Sequence, residues 1–342
     1  MWQTGKRLKG DQLSTAYFSI TCKIQEEEIP GYGIKTPHTM AKFRMNHSRS
    51  SRGAGGMHIL RIALFFALIL VLLFAIYRLK KQGESLGQQA EEPVSERFYL
   101  PKGDGTCQLI HHRFFSLCYD EDKEVPRWVA YSLTASSLRA KNVSRSNDYR
   151  PDTAIPTASA DPYDYRRSGY DRGHLVAAAD RAFSREAMSE TFLMSNIAPQ
   201  DHLFNGGIWR ELEQNTRRWA KQKGKLYVII GPIYSDKEPK RIGRNGVAVP
   251  DAFFRVLLNP REGAMEGTAF VIPNLVSDKP LSDYQMSIDS VESLTGLDFF
   301  DELLTDSLEE AVESRFSTSA WPLDERSYRT RIEKWNKEKR EK

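Results

Sequence analysis

The stretch "ILRIALFFALILVLLFAIY", residues 59–77, constrains this chain more than any other feature, because Ile62 to Tyr77 contains no charged residue and almost no polar atom. At ~1.5 Å per helical residue the stretch reaches ~28 Å, close to the hydrocarbon thickness of a thin bilayer. No face of such a helix carries the polar stripe that a helix packed on a soluble core presents to water. Arg78, Lys80 and Lys81 follow it where a cleaved signal peptide would have small residues. The expectation is an uncleaved single-pass anchor over 59–78. Lys42, Arg44, Arg49, Arg52 and Arg61 outnumber the three basic residues behind it, which favours a cytoplasmic N-terminus and places the remainder on the extracytoplasmic side, periplasmic in a bacterium. Residues 1–58 have no apolar period and are expected to be flexible. Met57 opens the apolar run, so the chain can start at Met1 or at Met57. Residues 79–98 are polar, contain Gly and Pro, and read as a linker.

The formal charge of +4 is a poor guide to partners. Residues 1–96 hold 13 Lys/Arg against 8 Asp/Glu, which leaves 36 basic and 37 acidic residues for the rest. Attraction for a polyanion therefore requires a local patch, not bulk charge. The three cysteines are Cys22, Cys107 and Cys118. The last two, in "CQLIHHRFFSLC", form a disulfide in an oxidising compartment or remain free thiols; a zinc site with His111 and His112 is conceivable but lacks standard ligand spacing.

A globular pattern begins near residue 99 and runs to about 326, with a charged tail over 327–342. "RWVAYSLTAS" (127–136), "KLYVIIGPIY" (225–234), "AFFRVLLN" (252–259) and "GTAFVIPN" (267–274) are apolar, β-branched runs bounded by turn residues and predict strands. Helical periodicity marks "SREAMSETFLMSN", "GIWRELEQNTRRWAKQK" and "SIDSVESLTGLDFFDELL". Strands in near-adjacent pairs with irregular helices predict α+β with a central, mainly antiparallel sheet flanked by helices. Trp209, Leu212 and Trp219 recur at helical spacing and are expected in the core.

Only His111, His112, His174 and His202 follow the apolar segment, and neither a GxSxG, a GxGxxG, a P-loop nor an HExxH motif is present. Near His174 in sequence lie Asp171, Arg172, Asn196, Asn205 and Glu213: few carboxylates, several amides. Phosphodiester hydrolysis needs a proton taken from water, charge spread on phosphorus, and a stabilised leaving oxygen. An imidazole can do the first, one Mg²⁺ on oxygen ligands the other two, and an Arg adds a fork of donors. As rivals, His174 can be a structural residue at a strand end, Asn205 a helix cap, Glu213 a solvated helix residue, and each Arg surface charge.

"DRGH" (171–174), "FLMSNIAPQ" (192–200) and "NGGIWRELE" (205–213), with "VPRWVAY" (125–131) and "LTGLDFF" (294–300), resemble the DNA/RNA non-specific endonucleases of the His-Me finger, or ββα-metal, superfamily, in the endonuclease G and EXOG-like branch. The resemblance covers roughly 105–305 and implies a Mg²⁺-dependent, sugar-non-specific endonuclease acting on DNA and RNA, with Mn²⁺ as substitute and 5′-phosphate products. It implies that His174 is the general base, Asn205 the direct metal ligand and Glu213 a ligand through water. Arg172 and Asp171 shape the turn and face phosphate, Asn196 orients base or substrate, and the upstream phosphate-binding arginine is Arg145 or, second, Arg150. Gly173 would permit close backbone approach. Relatives of the branch are often homodimers, and some are mitochondrial, so an inner mitochondrial membrane is the alternative location. Two departures, at Ala177-Ala178-Ala179-Asp180-Arg181 and at Gly206-Gly207, are expected to alter the groove and substrate preference. Readings from other classes are a membrane-tethered nucleic-acid-binding or uptake module with weak or no catalysis, and a phosphodiesterase for another phosphate ester.

Overall fold

A computed structural model describes residue 61 and residues 64–78, 98–103, 105–235 and 238–337. Chain packing divides the protein at Phe66/Ala67 into two units, and nearly all of the described structure belongs to the second. Residues 64–78 are helical, with Leu64, Phe65, Phe66, Leu68, Leu70 and most of their apolar neighbours exposed. The expected membrane span over 59–78 is not reproduced: among the described residues no helix is long and apolar enough to cross a membrane. Residues 59, 60, 62 and 63 of the expected span lie outside the described residues. The N-terminal segment 1–58 and most of the linker lie outside the described residues.

The centre of the second unit is a seven-stranded antiparallel sheet. Its strands are β1 (Gln108–His111), β2 (Ser116–Asp120), β3 (Val125–Thr134), β6 (Lys225–Ile233), β9 (Ala252–Asn259), β10 (Glu266–Pro273) and β11 (Gln285–Met286), in that spatial order. Two two-stranded ribbons stand apart: β4 (Asp171–His174) with β5 (Ile197–Gln200), and β7 (Arg241–Ile242) with β8 (Val247–Ala248). The α+β, antiparallel expectation holds, and the four predicted strands coincide with β3, β6, β9 and β10 to within two residues.

Strand alternation sorts the core into two layers, one on each face of the sheet. Leu117, Tyr119, Val129, Tyr131, Val228 and Ile230 pack with Trp209, Leu212 and Trp219, the three helix residues expected inside, all fully buried. Their alternates Cys118, Trp128, Ala130, Tyr227 and Ile229 pack instead with Ile288, Val291, Phe299 and Phe300. Cys107 and Cys118 are joined by a disulfide across the β1–β2 hairpin. With the sulfurs bonded to each other, His112 2.8 Å from Asp152, and His111 2.9 Å from Ser116 Oγ, the zinc alternative falls.

Three segments differ from the sequence reading, and in the first, "SREAMSETFLMSN", the helix covers only Arg185–Glu190 before a separate short turn at Met194–Asn196. The pattern over 287–304 forms a helix only over Ile288–Thr295, because Gly296 adopts φ +67° and ends it with a left-handed cap. The segment read as a charged tail from 327 packs onto the domain. Arg331 is fully buried, donates to Glu211 Oε2 at 2.5 Å and Lys279 O at 2.6 Å, and also donates to Ser277 O. Trp335 beneath Arg210 (4.2 Å) completes the contact. A paired, hydrogen-bonded guanidinium tolerates burial that a lone one would not.

Candidate active site

The ribbon β4–β5 and the turn after it build the site. "DRGH" pairs with "IAPQ" in antiparallel register, Gly173 opposite Ala198. A Cβ on Gly173 would lie 2.1 Å from the Gln200 side chain, so the close approach this glycine permits is by Gln200 within the ribbon. Beyond β5, Asp201 caps the turn His202–Phe204 by accepting from the backbone N–H groups of Leu203 (2.8 Å) and Phe204 (3.0 Å). The backbone then opens into one π-type turn, Asn205–Trp209, before the helix Arg210–Lys223. Such widened turns recur at functional sites because they re-aim a side chain without ending the helix.

These elements bring His174, Asp171, Arg172, Asn205, Glu213 and Arg145 together around one cleft of about 330 Å³, with Tyr149 and Ala177–Ala179 completing its wall. His174 is buried, its ring edge-to-face with Phe192 (centroids 4.8 Å) and tilted against Tyr149 (5.5 Å). Its Nε2 is buried and has no hydrogen-bond partner. Burial, followed by the nearby Arg145 and Arg172 charges, pushes the imidazole down to about 3, so the ring is neutral at neutral pH. The two guanidinium groups rest on the same aromatic rings that hold the imidazole: Arg145 lies 4.8 Å from the Phe192 centroid and Arg172 4.2 Å from that of Tyr149. Tyr149 and Phe192 are the residues sequence reasoning missed; Phe192 opens the block "FLMSNIAPQ" and Tyr149 lies between the two candidate arginines, but an aromatic at either place reads as ordinary core.

Asn205 Nδ2 donates to Asp171 Oδ2 at 2.8 Å, and His202 Nδ1 lies 3.0 Å from both Asp171 oxygens. With its NH₂ group so held, the Asn205 carbonyl oxygen is the atom left to face a cation. Glu213 is 17% exposed, and Arg217 Nη1 lies 3.9 Å from its carboxylate. Burial raises the Glu213 carboxyl, opposed by Arg217 and Arg255. Asn205, Glu213 and Asp171 offer oxygen donors only, the set a hard divalent ion prefers.

Three expectations change. Asn196 does not line the cleft. It is fully buried behind β4, accepts from Val176 N–H at 2.9 Å, and donates to Val176 O (3.1 Å) and Thr191 O (2.8 Å), which fixes the chain just past His174. Arg150 does not line it either, because its Nη1 donates to Asp148 and to Ser189 O at 3.0 Å. Asp180 and Arg181, expected to reshape the groove, are buried. Asp180 accepts from Tyr131 Oη (2.7 Å) and Arg217 (2.8 Å), and Arg181 donates to Ser132 O and Phe114 O. Gly207 likewise serves packing: a Cβ there would lie 2.8 Å from Asn336 Oδ1.

Residues 98–306 match the family model described as DNA/RNA non-specific endonuclease. Human mitochondrial endonuclease G is 36% identical over 213 residues, covering 58% of this chain and 72% of that protein. Mitochondrial nuclease EXOG of Xenopus laevis is 33% identical over 230 residues, covering 63% of each chain. Among solved structures, EndoG from a crystal structure of the EndoG/EndoGI complex superposes with a TM-score of 0.54 at 36% identity, covering 58% of this chain and 88% of that one.

Proposed function

The chain belongs to the DNA/RNA non-specific endonuclease family, in its endonuclease G and EXOG-like branch, and is thus a nuclease; from that premise we propose that the His174 cleft hydrolyses phosphodiester bonds of both DNA and RNA with one divalent ion. The observation that carries this reading is the pairing, in one cleft, of a neutral imidazole bearing an unpartnered Nε2 with an all-oxygen donor set and two flanking guanidinium groups.

His174 Nε2 takes the proton of the attacking water, since a buried neutral ring accepts without first losing a proton of its own. Arg145 and Arg172, held on Phe192 and Tyr149, clamp the phosphate and spread its developing charge. Asp171 orients Asn205, which would ligate Mg²⁺ directly, while Glu213 would hold it through water. Mg²⁺ held there would supply charge neutralisation at the phosphate and the departing 3′ oxygen, the chemistry that 5′-phosphate products require. The cleft residues suit phosphate, which positions a substrate without reading bases, so low sequence preference follows.

Two further readings go with this function. The exposed apolar helix over 64–78 would hold the catalytic domain against a membrane, and the names of the relatives favour a mitochondrial one; alkaline carbonate extraction of isolated organelles tests both. A homodimer is tested by light scattering. For the activity, supercoiled plasmid and a structured RNA are incubated with the full chain in Mg²⁺ or in EDTA. Nicking of the plasmid and degradation of the RNA, both abolished by EDTA, are expected. Binding without cleavage in Mg²⁺, or cleavage of small phosphate esters alone, would contradict the proposal.

A further inference from the structure

On the face of the sheet opposite the His174 core layer, the helix Ile288–Thr295 and the helix Asp306–Glu313 pack side by side over β10. Ile288, Val291 and Val312 anchor them there. At Gly267 of β10 a Cβ would come 2.6 Å from Ile288 Cδ1 and 3.0 Å from Val312 Cγ1, so both helices approach the sheet as closely as a glycine allows. This docking fixes three carboxylates against one another. One oxygen each from Asp289, Glu292 and Glu313 lies within 4.8 Å of the others. Glu313 is 1% exposed, and its Oε1 is buried without a hydrogen-bond partner. Glu292 is held in place by accepting from Phe299 N–H at 2.8 Å through Oε1.

We propose that Asp289, Glu292 and Glu313 form a calcium-binding site that staples the two helices on the sheet face away from the catalytic cleft. Oxygen ligands about 2.3–2.6 Å from a Ca²⁺ ion lie no more than ~5 Å apart across it, which is the spacing found here. Three carboxylates supply the charge such a site needs, Asp289 is exposed and gives the ion a path in, and the unpartnered Glu313 oxygen gains the partner it lacks.

The test uses the full chain carrying Asn205→Ala, which removes the ligand expected in the cleft. Titration calorimetry with CaCl₂ should give one site per chain. Ca²⁺ at about 100 times its Kd should raise Tm by roughly 5–10 °C. Adding Glu313→Gln should abolish the binding. Asp289→Asn, an exposed change that leaves the core untouched, should weaken it about tenfold. Absence of calcium heat and of a Tm shift in the Asn205→Ala chain overturns the proposal, as does binding that survives both carboxylate substitutions unchanged.

Discussion

Removing the Asn196 side chain separates two roles that sequence alone leaves merged. In the structure Asn196 is not among the residues lining the cleft, and its amide makes three hydrogen bonds, to Val176 and Thr191 in the chain behind His174. Asn196→Ala leaves one N–H and two carbonyl oxygens without that partner. Val176 and Thr191 are fully buried, so water cannot readily replace it. An unsatisfied buried group costs ~1–3 kcal/mol, with carbonyls at the lower end, so the three together come to ~3–5 kcal/mol. For a domain of this size each kcal/mol moves Tm by ~2–4 °C, which predicts a fall of ~6–20 °C. Urea unfolding followed by circular dichroism measures the stability, and initial rates of plasmid nicking well below the new Tm measure the chemistry. At that temperature kcat should fall modestly, through looser placement of His174, while KM stays near that of the parent. A loss of kcat by a thousandfold or more with Tm unchanged would refute the reasoning and return Asn196 to the reacting centre.

Other consequences follow from the same geometry. Because burial and the Arg145 and Arg172 charges push the His174 imidazole well below its ordinary value of 6.5, the acid limb of kcat/KM should lie below pH 6.5, and a limb at or above it would contradict the buried placement. The accompanying stability is full above pH 6.5 and is lost as pH falls through about 3, so acid unfolding of the parent and of a His174→Phe variant should diverge in that window. Arg145→Ala and Arg172→Ala should each raise KM and reduce the salt dependence of DNA binding by about one unit of log–log slope, whereas Arg150→Ala should change neither, as filter binding across a salt series would register. Asp180→Asn should cost ~3–5 kcal/mol in urea unfolding, because it breaks a buried pair and leaves Arg217 beside Glu213 alone.

How much of this was legible in the sequence depends on the range of the forces involved. Continuous apolar, β-branched runs bounded by turn residues located β3, β6, β9 and β10, since strand burial leaves a local imprint. The blocks containing His174, Asn205 and Glu213 located the cleft, because the ribbon and following helix are nearly contiguous in sequence and so carry their side chains to one place. Roles set by distant partners were not legible. Asp180 looked like a groove residue until Tyr131, 49 positions earlier, and Arg217, 37 later, were seen to bury it. Arg331 looked like part of a solvated tail, yet its carboxylate partner Glu211 lies 120 positions away. The choice between Arg145 and Arg150 rested on Ser189 O and Asp148, which hold Arg150 out of the cleft. Tyr149 and Phe192 were hidden because aromatic side chains that brace the His174 ring carry the same local signal as aromatic side chains in any core.

The central claim is that His174 is the base of a metal-dependent nuclease, and one paired measurement on His174→Ala tests it most directly. Plasmid nicking in Mg²⁺ and filter binding of the same DNA in Ca²⁺ are recorded for the parent and the variant, with circular dichroism to verify folding. The account predicts a folded variant that binds DNA like the parent and has lost cleavage by at least a thousandfold. A folded variant that nicks the plasmid at the parental rate would contradict it.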